Sequence, residues 1–347
     1  MARLLLTSLL FFLAGCSDIS YYAQAMSGHM KLMYAARPIS DYVTDTNTSP
    51  ELRKHLRQAI AIRDFASIEL ALPNNDSYRS YADLGRPFAV WNVFAAPEFS
   101  IEPQQWCMLI VGCVNYRGYY DNKDADDLAN KLKQSGADTY VGGVPAYSTL
   151  GHFNDPILNT FMRYGDQEVA RTIFHELAHQ VVFVEGDTAF NESFATSVEN
   201  EGIQRWLKKT ASPELQQEFE KRQKRAGEFH QLLSELRGKL LAIYSTFNTP
   251  DEKRHAKSEA IADIHREYAA LKDSWSGYNG YDRWFSQPIN NATLVSVNLY
   301  THWVPAFMVL LKQEGGNLSS FYLKVAALAH LSKTDRSAAL EKLMPSA

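Results

Sequence analysis

Cysteine is scarce in this chain, with three residues in 347, at positions 16, 107 and 113. An excess of charge of either sign is missing too. Basic residues number 35 against 39 acidic ones, and no basic block occurs, which speaks against a nucleic-acid partner. Long apolar runs are absent beyond residue 15, so nothing after that point reads as a membrane crossing. Aromatics are plentiful, with 18 Tyr and 18 Phe, which fits a packed extracytoplasmic globule of one large domain or two small ones.

Residues 1–15 read as a targeting segment. Arg3 supplies the charge, and Leu4 to Leu13 is an apolar run about half as long as a bilayer crossing needs. Leu13-Ala14-Gly15-Cys16 resembles a lipobox, in which the Cys16 thiol takes the lipid; an ordinary secretory signal that meets a cysteine is the alternative. Ser17 stands where Asp would resemble an inner-membrane retention signal, so the expected address is the outer membrane, facing the periplasm. With Cys16 used by lipid, Cys107 and Cys113 remain as an even pair in an oxidising compartment. Six apart, they can close a small loop or staple a hairpin, with metal binding as the other reading.

The stretch Arg171-Thr172-Ile173-Phe174-His175-Glu176-Leu177-Ala178-His179-Gln180 carries the chemistry. His175 and His179 stand four apart, so on a helix their rings share one face and can hold one metal ion, zinc being usual for nitrogen and carboxylate donors. Glu176 is placed to take a proton from a water that the metal activates. A third protein ligand is needed if one zinc position is to stay open, and Glu192 in Phe190-Asn191-Glu192-Ser193-Phe194-Ala195 is the expected one. The bland alternative is a chance His-Glu-x-x-His on a surface helix. Val169, Ile173, Phe174, Leu177, Val181 and Val182 instead present the histidines from a packed element.

These residues resemble the gluzincin aminopeptidases, whose pattern is His-Glu-x-x-His followed by a Glu within Asn-Glu-Gly-Phe-Ala. The wider chain is similar to a bacterial lipoprotein family of predicted aminopeptidases. That likeness runs from Tyr21-Tyr22-Ala23-Gln24-Ala25, through Tyr140-Val141-Gly142-Gly143-Val144-Pro145, to Pro288-Ile289-Asn290-Asn291-Ala292. It implies a zincin-like α+β fold, one zinc per chain and hydrolysis of peptides. The chain departs from the better-known enzymes in two ways. Only twelve residues separate His179 from Glu192, and no Gly-Ala-Met-Glu-Asn segment for the substrate amine occurs. Endopeptidase activity therefore stays open, as does a non-catalytic zinc-bearing lipoprotein serving envelope binding or assembly.

Taken in order, residues 16–48 form a lipid-anchored segment in which Tyr21 to Arg37 is helical, as a stalk or docked on the domain. The peptidase domain covers 49–347. Ser49-Pro50-Glu51 opens a helix to about Leu72, with Leu52, Leu56, Ala59, Ile60, Phe65 and Ile68 as its stripe. Strands are expected at Phe88 to Ala95, Cys107 to Tyr116 and Thr139 to Val144, with a helix from Lys123 to Gln134. Gly142 and Gly143 would let a substrate backbone approach an edge strand, or they mark a bulge before Pro145. Arg117 is a candidate for a substrate carboxylate or for a structural ion pair. Asp166 is the expected cap of the metal helix and Gly186 its end.

Glu199 shares a helical face with Glu192, as hydrogen-bond partner of a ligand histidine, as contact for the substrate amine, or as a solvated charge. Residues 205–273 read as an inserted helical hairpin whose histidines, His230, His255 and His265, lie at the surface. Asn291 is a further candidate for contact near the metal or substrate. Tyr300 is the first candidate to hold the developing oxyanion, ahead of Tyr281 and Tyr278.

Overall fold

A computed structural model describes residues 2–108, 112–298 and 302–345 of the chain. It opens with the long helix α1 (Ala2–Ala35), strand β1 (Arg37–Pro38) and helix α2 (Ile39–Thr44), and then enters α3 (Pro50–Glu69). Ser49 caps α3 by accepting from the Leu52 N–H, with Pro50 as the first helical residue. The buried stripe of α3 is Leu56, Ala59, Ile62, Arg63, Phe65 and Ala66. Ile68, expected on that stripe, is 77% exposed. It stands nine residues after Ala59, two and a half turns on, and so points to the opposite side.

Strands β2 (Ser80–Ala82), β3 (Val90–Pro97), β4 (Trp106–Met108), β5 (Gly112–Val114) and β6 (Arg117–Tyr119) follow, then α4 (Asn122–Gln134) and β7 (Ala137–Val144). Strand β3 lies between β6 and β7, antiparallel to both. Alternation then sorts its side chains. Val93 packs with Ala125 and Ala129 of α4, while Phe94 and Ala96 turn to the other face. The β4–β5 hairpin sets Cys107 opposite Cys113, and a disulfide joins them. β1 and β2 form a third small sheet with β8 (Ile157–Leu158); two- and three-residue strands carry too little alternation to be read from sequence.

Helix α5 (Asn159–Met162) leads into α6 (Asp166–His179), and a short loop joins that to α7 (Thr188–Thr210). Two helices, α8 (Pro213–Thr246) and α9 (Pro250–Ser274), make the hairpin, which therefore starts after α7 ends rather than near 205. Further helices follow: α10 (Asp282–Phe285), α11 (Asn291–Asn298), α12 (Val304–Gln313), α13 (Leu318–Ala329) and α14 (Lys333–Glu341). Ala292 and Val295 of α11 cover the Phe94 face of β3.

The result is a helix-rich α+β fold with small sheets. Its main core stacks Phe174, Phe190, Phe194, Phe307 and Phe321 where α6, α7, α12 and α13 meet. The second half of α1 docks on the domain. Gln24 accepts from the Tyr120 N–H at 3.2 Å and donates to the Gly118 carbonyl at 3.4 Å, so its amide meets the outer edge of β6 as another strand would. Side chains of residues 2–18 lie outside the described ones, and the Cys16 lipidation site with them. Among the described residues no helix is long and apolar enough to cross a membrane.

Candidate metal centre

The metal-motif helix begins at Gly165, whose φ of 93° suits glycine and turns the chain sharply into α6. Asp166, expected as the cap, is the first helical residue instead, and its carboxylate faces the His55 ring at 3.5 Å. The helix stops at His179 rather than near Gly186. Asn191 explains how the following loop stays compact: its side chain accepts from the Val184 N–H and donates to the Val184 carbonyl, both at 2.8 Å. Asp187 then caps α7 by accepting from the Phe190 N–H, while its other oxygen pairs with Arg336 of α14 at 2.7 Å.

Gln180, the last residue of the motif, is tied to the loop after α3. It accepts from Asn75 at 2.7 Å, and the same loop is gathered by the fully buried Arg63 through the carbonyls of Pro73, Asn75 and Ser77.

Two stripes face each other across α6 and α7. On α6, Arg171, His175 and His179 follow at intervals of four; on α7, Glu192 and Glu199 stand seven apart. Because the helices run antiparallel, the stripes interlock as a ladder of alternating charge. Arg171 holds Glu199 at 2.5 Å, Glu199 meets His175 Nδ1 at 3.1 Å, and Glu192 lies 3.2 Å from His175 Nε2 and 3.8 Å from His179 Nε2. Burial opposes ionisation of all three central groups, yet the mutual contacts win. Both carboxylates raise the His175 pKa well above its ordinary value, and the two histidines hold Glu192 down to about 2.

The donor atoms of His175, His179 and Glu192 lie within 4.8 Å of one another. Two imidazole nitrogens and a carboxylate oxygen are a zinc donor set, and at zinc–ligand distances of about 2.0–2.1 Å a tetrahedral site separates its ligands by about 3.3 Å. The Glu192 oxygen stands near that spacing, 3.2 and 3.8 Å from the two ring nitrogens. His175 is oriented through its far nitrogen by Glu199, whereas His179 Nδ1 is buried with no partner among the described residues. The His179 ring instead packs edge-on against His175 and Phe183.

Glu176 lies on the next face of α6, half-buried. Two tyrosines that sequence reasoning passed over lie within electrostatic reach of it. Tyr116 is raised by burial and by Glu192 and Glu176, and Tyr78 by burial, Glu176 and Asp155. Tyr116 belongs to the aromatic patch of Phe94 and Tyr140, so the sheet presents it. Asp155, fully buried, accepts from the Thr149 N–H and hydroxyl, and burial pushes its carboxyl up to about 6.

A cavity of about 840 Å³ opens beside His175 and Glu199, lined also by Glu168, Arg171, Tyr278 and Tyr281. His230, expected at the surface, lines it too, and burial lowers its pKa. Other candidates fall elsewhere. The space beside Gly142 is taken by the Tyr140 ring and that beside Gly143 by Phe88, so the chain's own aromatics use the missing Cβ atoms. Arg117 lies 4.0 Å over the Tyr21 ring. Asn291 is fully buried and its amide is spent, accepting from Tyr244 and donating to the carbonyls of Pro97 and Glu98, which leaves nothing for a substrate. Tyr300 lies outside the described residues.

A family model described as "Putative aminopeptidase" matches residues 20–340. No curated protein and no solved structure matches the chain.

Proposed function

The chain belongs to the family described as "Putative aminopeptidase", and from that premise we propose that it is a zinc-dependent aminopeptidase with a zincin-like domain. The single observation that carries the metal reading is the convergence of His175, His179 and Glu192 within 4.8 Å, with Glu176 next to His175 in the chain. Bound there, zinc would polarise the scissile carbonyl and activate a water. Glu176 would take a proton from the attacking water and hand it to the leaving amine. Glu199 orients His175. Tyr116, half-buried and within electrostatic reach of Glu176 and Glu192, is the phenol best placed to donate to the developing oxyanion.

An intact Glu176 favours an enzyme over a zinc-bearing scaffold, since a structural site needs the ligands and not the base. The proposed setting is the periplasm, with a lipid on Cys16 holding the domain to the outer membrane.

The test is hydrolysis of a mixed peptide library read by mass, with and without chelator. Stepwise loss of single N-terminal residues that chelator abolishes is expected. Internal cleavage would make the protein an endopeptidase, and an uncleaved library would overturn the reading.

A further inference from the structure

The ladder between α6 and α7 has a member that touches none of the three converging donors. Arg171 reaches Glu199 twice through one oxygen, Nη2 at 2.5 Å and Nε at 2.7 Å from Oε1, and leaves Oε2 to His175 Nδ1 at 3.1 Å. Glu199 is 6% exposed, while Arg171 stands at the rim of the cavity with its side chain 48% exposed. A carboxylate on a three-bond stem has rotamers to choose from, and among the described residues its other hydrogen-bond partner is the histidine it must orient.

We propose that Arg171 is a positioning residue for the metal site. By fixing one Glu199 oxygen it keeps the other on His175 Nδ1, and so turns His175 Nε2 toward Glu192 and His179. This rests on the zinc reading above. Two effects of the arginine oppose each other. As a bare positive charge near the site it would repel a cation, so its removal would tighten zinc binding. As a positioner its removal would weaken binding, because an unheld Glu199 can turn to water in the cavity.

The sign of the change decides between them. Zinc affinity is measured on the full chain by competition with a chromophoric chelator, alongside the visible absorption of the cobalt-loaded protein. Loss of a group that orients a metal ligand typically costs about 10–100-fold in affinity. Acting one residue further out, R171M should weaken zinc by about 10-fold, at the low end of that range. R171K should recover part of the loss and restore the cobalt spectrum. On an E199Q background R171M should add nothing, since the path through Glu199 is already cut.

Unchanged or tighter zinc binding by R171M overturns the proposal, as does a drop in stability of the metal-free protein with zinc affinity intact. If R171M does not fold, R171K carries the test, alone and on the E199Q background, where it should change zinc affinity no further. A wild-type protein that takes up no zinc removes the metal reading and the positioning role together, whereas zinc-binding wild type with indifferent variants removes the positioning role alone.

Discussion

Asp187 and Arg336 are 149 positions apart in the chain and meet inside the protein at 2.7 Å, with side chains only 8% and 4% exposed. The contact ties α14 to the residue that caps α7, the helix carrying Glu192 and Glu199. Removing one partner of a buried pair leaves an uncompensated charge and costs about 3–5 kcal/mol. Arg336→Ala should therefore destabilise the fold by that order in urea titration, and the double variant Arg336→Met with Asp187→Asn should cost less than the sum of the single changes.

The site residues separate by role. His175→Ala or Glu192→Ala should lose most of about one zinc per chain, measured by elemental analysis of purified protein. Glu176→Gln should keep the zinc and the fold, since the amide has the same size but cannot accept the water's proton. General-base help is worth about 10²–10⁴-fold, so hydrolysis should fall by at least that. Full zinc in Glu192→Ala with an empty site in Glu199→Ala would reassign the third ligand.

The disulfide closes a loop of seven residues at the end of the β4–β5 hairpin. Chain-entropy arguments put such a cross-link at about 2 kcal/mol. Replacing both cysteines with serine should lower the melting temperature under oxidising conditions and leave peptide turnover nearly unchanged. Two free thiols in the oxidised protein would contradict the assignment.

Asp155 gives a pH dependence whose direction is fixed. Its folded pKa is raised to about 6 from 3.8 by burial, with the bonds from Thr149 opposing. Its contribution to stability is then full below the unfolded value and lost as pH rises through about 6. Asp155→Asn should gain on the wild type between pH 4 and pH 7, by about 1–3 kcal/mol at neutral pH. Melting curves of both proteins across that range check it; a difference that does not vary with pH would refute the buried-charge account.

Helix starts were the most legible part of the sequence. At Ser49 a hydroxyl, a proline and an acid state the cap locally, and the side chain accepts the expected backbone N–H. The β-rich runs that became β3 and β7 were equally local. Asp166 shows where that logic stops: an acid before an apolar run resembles a cap, but Gly165 turns the chain first and Asp166 goes to His55. Arg63 was invisible for another reason. A charged residue within an apolar stripe reads as a surface group until the loop at Pro73 to Ser77 folds over it. Within the site, the helical spacing of His175 and His179 was readable, whereas the approach of Tyr116 to Glu176 and Glu192 depends on how distant parts of the chain fold together.

All members of the ladder, from Arg171 to Glu199, come from one short stretch of chain, and its longest contact spans only 28 positions. Closing so small a loop costs less entropy than pairing β2 to β8 or α14 to α7, which favours early assembly of this helix pair over those contacts. A metal caught at that stage would bind a nascent hairpin rather than a finished protein, and its binding energy would favour folding from this end of the structure outward.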